Sequence, residues 1–237
     1  MVSVISLDMG CTLFWERGCE VGWMKHTLYK SAEAVAKTLV ELGYNVSVDD
    51  VYGVLYNIAE EHMRTCPERE IWHLYRIHIV LSRLGIIPKP RLVQRLYESY
   101  VNSIVNELVF EEKYRDVLRR LKERGYMIVL STDTGSHDIP LRLVDKAGIG
   151  DYIDFILSSQ LIGYTKASQV FFQNLINLTG VDAKEIVHVG DNVYRDYEVP
   201  RSLGIKTVLY KKNGCSDEDP EPCISDLGIL LELLEKL

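Results

Sequence analysis

The sequence predicts an α/β fold in which a doubly wound parallel sheet is interrupted by an inserted all-helical domain. Apolar runs of strand length recur after residue 110. Helical stretches of about 10–15 residues separate them, which is the alternation typical of parallel sheets. Residues 23–108 show no strand pattern, although residues 2–7 already resemble a strand. The helical block is therefore predicted to interrupt the sheet between its first strand and the others.

The composition limits what kind of protein this chain is. It has 237 residues, of which 47% are hydrophobic and 26% charged, and a formal net charge of −7. Such a balance is usual for a globular protein, and the negative charge disfavours a nucleic-acid binder. No apolar run approaches the about 20 residues of a membrane span, so we expect no membrane partner. The first residues show neither a basic segment nor a cleavage site, and we predict a cytoplasmic location.

The five cysteines, Cys11, Cys19, Cys66, Cys215 and Cys223, do not show zinc-site spacing. Their odd number fits a reducing compartment. We interpret Cys215 and Cys223 as free thiols, with a bond between them as the alternative. Cys11 is interpreted as a packed small residue, the alternative being an oxidation-sensitive thiol.

The first predicted elements are a strand and a helical bundle. Residues 2–7 are rich in Val, Ile and Leu and end at Asp8, which indicates a short buried strand. Four helices then follow. They are marked by apolar stripes over residues 28–42 and 71–81, by the N-cap Ser47, and by Pro88 and Pro90 ahead of a stripe over residues 92–104.

Strands and helices alternate in the rest of the chain. Glycines at the ends of several helical stretches support these boundaries. The predicted strands cover residues 126–130, 153–157, 186–189 and 207–210. The predicted helices cover residues 111–124, 140–147, 168–178, 193–203 and 226–237. Because the first strand lacks an earlier partner, we assign residues 1–14 and 110–237 to the core and residues 15–109 to a helical domain.

Polar side chains follow several predicted strands at the point where each strand ends. Asp8 follows the first strand, Ser131 and Thr132 follow the second, and Asp191 follows the strand over 186–189. Lys166 lies in a loop before a helix, and Asp196 comes five residues after Asp191. Each carboxylate alone could be a helix cap. Since ligands of open parallel sheets bind at the carboxyl ends of the strands, the whole set indicates a functional site.

These residues resemble the four motifs of the haloacid dehalogenase superfamily of hydrolases. The first motif is Asp8-Met9-Gly10-Cys11-Thr12-Leu13, the second and third are Ser131 and Lys166, and the fourth is Gly190-Asp191-Asn192-Val193-Tyr194-Arg195-Asp196. The helical block after the first motif is similar to the cap of one branch of that superfamily. The resemblance implies a Rossmann-like core with an inserted helical cap.

The resemblance also implies a reaction. Asp8 would be the nucleophile of a Mg²⁺-dependent phosphatase that acts on a small anionic, phosphorylated metabolite through an aspartyl-phosphate intermediate. Lys166 would offset negative charge, and Ser131 and Thr132 would bind phosphoryl oxygens. The magnesium site would comprise Asp8, the Gly10 carbonyl, Asp191 and Asp196, with Asp196 orienting the other ligands.

The sequence departs from the family pattern at Gly10, where phosphatases of the family usually carry a second aspartate that serves as general acid and base. Another group could supply the proton, such as His137, His26 or Lys25. The leaving group could instead need no proton, as in a metal-independent 2-haloacid dehalogenase or with an acyl phosphate. A third alternative is a catalytically weakened binding protein.

Substrate choice is predicted to come from the helical domain. Trp15, Arg17, Trp23 and Lys25 lie at the crossing from core to helical domain. We predict that Arg17 and Lys25 bind substrate, the alternative being packed tryptophans and solvated charges. His188 lies inside an apolar strand and is interpreted as a packed residue.

Overall fold

The protein is described here by a computed structural model that covers residues 2–236. Its strands are short, and four of the eight described strands are buried along most of their length. They are β1 (Val4–Leu7), β2 (Phe14–Trp15), β3 (Val109–Phe110), β4 (Met127–Thr132), β5 (Phe155–Ser158), β6 (Ile186–Gly190), β7 (Lys206–Tyr210) and β8 (Cys223–Ile224).

The α-helices fall into a set before β4 and a set between the later strands. The first set is α1 (Gly18–Val21), α2 (Thr27–Glu41), α3 (Val48–Thr65), α4 (His73–Arg83), α5 (Pro90–Glu107) and α6 (Tyr114–Glu123). The second set is α7 (Asp138–Ala147), α8 (Ser159–Ile162), α9 (Gln169–Thr179), α10 (Val199–Ser202) and α11 (Leu230–Leu233).

The predicted parallel sheet is confirmed. Within residues 2–236, six strands form one sheet in the order β5-β4-β1-β6-β7-β8, and every neighbouring pair is parallel. The first strand of the chain is therefore flanked by β4 and β6, which come more than a hundred residues later. Such crossovers require intervening helices on the faces of the sheet, so the fold is the Rossmann-like α/β fold that the sequence predicts.

The predicted helical insertion is also confirmed, since α2–α5 lie between β1 and β4. Local signals explain where these helices begin. The Ser47 and Asp50 side chains form a reciprocal capping box at the start of α3, and Pro90 occupies the first turn of α5. The antiparallel pair of β2 and β3 joins the insert to the core.

Some predicted elements differ in the structure. The predicted helix over 193–203 is a π-helical segment, Val193–Glu198, followed by α10. The predicted closing helix is a 3₁₀ turn, Leu227–Ile229, followed by α11, and its predicted last residue, Leu237, lies outside the described residues. The sequence analysis missed β2, β3 and β8, because two residues are too few to show a period of two.

The interpretation of Cys215 and Cys223 as free thiols is wrong, and Cys11, interpreted as a packed small residue, is also paired. Cys215 is bonded to Cys223, and Cys11 is bonded to Cys19, whereas Cys66 is a free, exposed thiol. Cys11 also has φ 59°, a left-handed conformation that glycine adopts more readily. Among residues 2–236, none of the helices combines the length and the apolar character needed to cross a membrane.

Candidate active site

The three central strands carry the predicted site residues to one edge of the sheet. Leu7, the last residue of β1, is in register with Leu130 of β4 and with Val189 of β6. The next residues, Asp8 and Ser131, therefore leave neighbouring strands side by side, and Asp191 follows closely on the other flank. This is the carboxyl edge where ligands of parallel sheets bind.

Asp8, Asp191 and Asp196 form an acidic cluster at this edge. Each contributes a carboxylate oxygen, and these oxygens lie within 4.8 Å of one another. Asp8 is 5% exposed and Asp196 is 1% exposed. The glycine at position 190 allows this arrangement, because a Cβ there would overlap the carboxyl group of Asp196. Three carboxylates so close together repel one another strongly in a buried setting.

Lys166 bridges two members of the acidic cluster. Its Nζ donates to Asp8 Oδ1 at 2.5 Å and to Asp196 Oδ1 at 2.6 Å. Burial disfavours the ammonium ion, but the charges of Asp196 and Asp8 outweigh it and raise the pKa of Lys166. Burial also disfavours the charged form of Asp196, which by itself would raise its pKa. Lys166 and His188 nevertheless hold that pKa well below its ordinary range. Lys166 and Asp196 are therefore a buried ion pair at neutral pH.

The acidic cluster suits a divalent cation. One ammonium group faces three carboxyl groups, and burial together with the neighbouring carboxylates raises the pKa of Asp8 and of Asp191. Asp196 is already occupied, since its Oδ2 accepts from the Asn192 backbone N–H at 3.0 Å and its Oδ1 accepts from Lys166. Asp8 shares Lys166 with Asp196, so the raised pKa values of Asp8 and Asp191 reflect a shortage of positive charge at the cluster. A divalent cation would supply that charge, and carboxylate oxygens are the ligands that Mg²⁺ prefers.

A buried hydrogen-bond chain, which the sequence analysis missed, supports the acidic cluster from below. His188 Nε2 lies 3.0 Å from Asp196 Oδ1, and His188 Nδ1 lies 2.8 Å from the Ser6 hydroxyl. The Ser6 hydroxyl also lies 2.8 Å from the Ser131 hydroxyl. The interpretation of His188 as merely packed is wrong, although its ring does contact Phe172. The register pairing of Ser6 with His188 on adjacent strands is the signal that could have revealed this chain.

The direction of the hydrogen bonds in this chain follows from charge. An ionised Asp196 can only accept, and burial lowers the pKa of His188 so that its ring is neutral. His188 therefore donates from Nε2 and accepts at Nδ1 from Ser6, which in turn accepts from Ser131. The chain fixes the orientation of the Asp196 carboxylate and links it to the predicted phosphoryl-binding Ser131.

The loop after β4 is tied to the loop that carries Lys166. Asp133 Oδ1 accepts from the Lys166 backbone N–H at 2.7 Å, and Asp133 Oδ2 lies 3.4 Å from Arg195 Nη1. Thr132, a predicted substrate-binding residue, is 2% exposed and lies at the end of β4. The motif residues of β4 and of the Lys166 loop are thereby held in one rigid arrangement.

Gly10, the position of the missing aspartate, has free space around it. A Cβ at Gly10 would meet no atom within 4 Å, and the φ of Gly10 is outside the left-handed region. The left-handed residue is its neighbour Cys11. A side chain could therefore be accommodated at Gly10 without backbone strain.

The groups predicted to replace that aspartate, or to bind substrate, have other partners or are exposed. The ring of His137 bonds to Ser158 Oγ at 2.9 Å, and His26 pairs with Glu107 at 3.0 Å. Arg17 and Lys25 are exposed, and their side chains form no hydrogen bond or ion pair with the residues described. Trp15 packs beneath Lys212, whose Nζ lies 3.9 Å from the ring centroid.

The helical insert contacts the site through the segment between α3 and α4. The Glu70 backbone N–H donates to the Gly163 carbonyl at 3.1 Å, and Ser159 Oγ donates to Glu70 Oε2 at 2.5 Å. Burial is the main cause that raises the pKa of Glu70 to about 7. Glu70 carries no signal in the sequence, because it is one charged residue in a polar run. Its position over the core depends on tertiary structure.

Comparisons with known proteins give matches over much of the chain. The family model described as haloacid dehalogenase-like hydrolase matches residues 27–204. A glyceraldehyde 3-phosphate phosphatase of Pyrococcus furiosus is 27% identical over 217 residues, which are 87% of each chain. A ribulose-1,5-bisphosphate 5-phosphatase of Halopiger xanaduensis is 28% identical over 130 residues, covering 55% of this chain and 54% of the relative.

Solved structures show the same fold. A 2-haloacid dehalogenase from Pseudomonas syringae superposes with a TM-score of 0.75 at 18% identity, covering 100% of this chain and 99% of the other. A phosphatase from Thermococcus onnurineus superposes with a TM-score of 0.64 at 18% identity, covering 98% of both chains. Because both a dehalogenase and a phosphatase share the fold, the fold does not choose between their reactions.

Proposed function

Because the chain belongs to the haloacid dehalogenase-like hydrolases, we propose that it is a magnesium-dependent phosphatase of small phosphorylated metabolites. The observation that carries this proposal is the contact of Lys166 with both Asp8 and Asp196, next to Asp191. A buried ammonium group beside a nucleophilic carboxylate suits an anionic electrophile. The sugar-phosphate phosphatases among the sequence relatives support the same reaction class.

In the proposed first step, a carboxylate oxygen of Asp8 attacks the phosphorus atom and forms an aspartyl phosphate. The bond from phosphorus to the ester oxygen breaks, and that oxygen leaves with its electron pair. Lys166 Nζ offsets the negative charge that accumulates between Asp8 and the phosphoryl group. Ser131 would turn its hydroxyl from Ser6 to a phosphoryl oxygen, with Thr132 beside it.

In the proposed second step, water attacks the phosphorus atom, the bond to Asp8 breaks, and inorganic phosphate leaves. Family members with an aspartate at the position of Gly10 would use it to protonate the leaving oxygen and to deprotonate this water. Its absence should slow the first step for poor leaving groups and should slow the attack of water whatever the leaving group was, since a positioned acid or base contributes about 10²–10⁴-fold. We therefore expect aryl and acyl phosphates to be better substrates than alkyl phosphates.

Asp8, the Gly10 carbonyl and Asp191 would hold the magnesium ion, and Asp196 would orient them through Lys166 and the hydrogen bond from Asn192. The ion would supply positive charge that keeps Asp8 ionised and attracts the phosphoryl group. His188 and Ser6 are positioning residues in this proposal, because they hold Asp196 rather than touch the substrate.

We further propose that residues 15–109 act as a cap over the core of residues 1–14 and 110–237. The ribbon of β2 and β3 would be the hinge region, and closure would exclude water from Asp8. A cytoplasmic location stays a prediction. Disulfides are uncommon in reducing compartments, so the bonds Cys11–Cys19 and Cys215–Cys223 count against the cysteine argument for it.

A second candidate reaction is 2-haloacid dehalogenation, which Gly10 favours because a halide leaves without a proton. A panel of aryl and alkyl phosphates and 2-haloacids, assayed with magnesium and with EDTA, separates the two. Phosphate release that requires magnesium supports the phosphatase. Halide release in EDTA without phosphate release would establish the dehalogenase, and a silent panel would favour a binding protein.

A further inference from the structure

The helical insert contains a cluster of buried polar atoms that have no partner. In the described part of the chain, residues 2–236, the buried side-chain nitrogen and oxygen atoms without a hydrogen-bond partner are Nε and Nη1 of Arg76, Nδ1 of His73 and the Tyr100 hydroxyl. The rings of His73 and Tyr100 lie 4.8 Å apart. All these atoms thus belong to one place in the molecule, which we call the Arg76 cluster.

Arg76 is the charged member of this cluster, and two of its guanidinium nitrogens, Nε and Nη1, have no hydrogen-bond partner. Its charge acts to lower the pKa of the buried Glu70 carboxyl group, but the two side chains form no ion pair. Arg76 is 7% exposed, and it forms no ion pair with any carboxylate among the described residues. The ring of Trp23 lies beside its guanidinium group, with 5.7 Å from Cζ to the ring centroid. Buried guanidinium nitrogens without hydrogen-bond partners are unfavourable, so an anion that binds them from outside the chain would stabilise this arrangement.

The Arg76 cluster lies where the insert meets the core. The His73 backbone N–H donates to the Gly135 carbonyl at 2.7 Å, and Gly135 is in the loop that follows Ser131. The buried face of α4 becomes polar as the helix approaches this loop: Ile77, Val80 and Leu81 pack inside the bundle, whereas Arg76 and His73 occupy the first turn. The unpaired atoms of Arg76 and His73 are therefore at the end of α4 that contacts the loop following β4.

We propose that the Arg76 cluster is a subsite for a second oxyanionic group of the substrate, a carboxylate or a phosphate at the end remote from the scissile phosphoryl group. The inference rests on the proposed phosphatase function and narrows its substrate class to esters with two anionic ends. The guanidinium fork matches the paired oxygens of carboxylates and phosphates, and the Tyr100 hydroxyl adds a neutral donor.

The test compares ligands that differ in one group at the remote end. In the Asp8→Asn background, which binds without turnover, 3-phosphoglycerate is compared with glycerol 3-phosphate, and ribulose 1,5-bisphosphate with ribulose 5-phosphate. In one of these pairs, we expect the ligand with two anionic groups to bind about 10–100-fold more tightly than its partner with one, the range for a charged hydrogen bond. The pair that shows the preference identifies carboxylate or phosphate as the recognised group.

Substitutions then assign the preference to its residue. Adding Arg76→Met should reduce the preference to near unity, and Arg76→Lys, which keeps the charge but lacks the fork, should leave an intermediate value. Arg83→Met removes an exposed arginine from the same helix and should leave the preference intact. Circular dichroism checks folding, and if Arg76→Met does not fold, Arg76→Lys alone carries the comparison.

Two results would overturn the inference: equal binding of both ligands in both pairs, or a preference that survives Arg76→Met. Neither depends on catalysis, because binding is measured without turnover. Failure of wild type to hydrolyse any phosphate ester would instead contradict the proposed function and leave the binding comparison interpretable.

Discussion

The acidic cluster and the Arg76 cluster differ in how their charges are compensated. At the edge of the sheet, Asp8 and Asp196 share the ammonium group of Lys166, and His188 and Asn192 hold Asp196. On the insert, Nε and Nη1 of Arg76 are buried without a hydrogen-bond partner. A cluster that is internally paired is preorganised for chemistry, whereas an unpaired one gains its partner when ligand binds. The core edge therefore carries the proposed reaction, and the insert carries the proposed recognition.

Asp8→Asn tests the proposed reaction at the acidic cluster and should have the largest effect. A neutral amide of the same size cannot serve as the nucleophile, so phosphate release should fall by at least about 10³-fold. Unchanged far-UV circular dichroism would exclude unfolding as the cause. The control is Asp182→Asn, which changes an exposed carboxylate. Activity within about tenfold of wild type would rule out Asp8 as the nucleophile.

Removal of the proposed magnesium ligand should have the next largest effect. Asp191→Ala deletes a carboxylate of the acidic cluster, and we expect a loss of about 10²-fold or more, with a higher magnesium requirement, because a Lewis acid supplies several kcal/mol of stabilisation. EDTA should silence wild type to the same degree. A rate that is indifferent to EDTA would show that the acidic cluster does not work through a metal ion.

Gly10→Asp adds to the acidic cluster the proton-transfer group that it lacks. Alkyl phosphate turnover should rise by up to about 10²–10⁴-fold, since the position has open space and an unstrained backbone. Repulsion from Asp8 opposes this gain, and the metal offsets it. Gly10→Asn is the matched control, of equal size but unable to transfer the proton.

The Gly10 prediction also has a clear opposite outcome. If wild type shows no preference for aryl over alkyl phosphates, and Gly10→Asp gains nothing on the alkyl ester, another residue supplies the proton. His137→Ala would then test the nearest histidine after β4.

Stability should separate the paired lysine from the unpaired arginine. Lys166→Met leaves Asp8 and Asp196 without their shared cation, and in EDTA the free energy of unfolding should fall by about 3 kcal/mol. Arg76→Met removes a charge that has no protein partner, so the free energy of unfolding should stay within about 1 kcal/mol of wild type or rise. Urea denaturation measures both. Equal losses would mean that Arg76 is a structural residue.

The sequence predicts the residues of the acidic cluster far better than those of the Arg76 cluster. Asp8, Ser131 and Asp191 each follow an apolar run, and their meeting at one edge is a consequence of parallel strands. Arg76 carries no such local signal, because the absence of a partner is a property of how α4 packs against α5 and the Trp23 segment. Ser6 and His188 were likewise hidden, since only strand register reveals that they face each other.

The same distinction explains the errors in local structure. Helices with long apolar stripes, such as α2 and α5, were predicted within a few residues, whereas the π-helical segment over Val193–Glu198 has no signature in hydrophobic spacing. Cys11, which pairs with Cys19, has a left-handed backbone conformation. The spacing of residues in the sequence does not reveal that conformation.

The covalent phosphoryl intermediate proposed on Asp8 can be tested by trapping it. It should accumulate because Gly10 provides no general base for its hydrolysis. Wild type, Gly10→Asp and Asp8→Asn are each mixed with an aryl phosphate and magnesium, quenched in acid and digested for peptide mass spectrometry. We predict phosphate on the Asp8 peptide of wild type, less of it on Gly10→Asp, and none on Asp8→Asn. Sustained phosphate release by wild type with no phosphate on that peptide, while Asp8→Asn retains activity, would contradict the account.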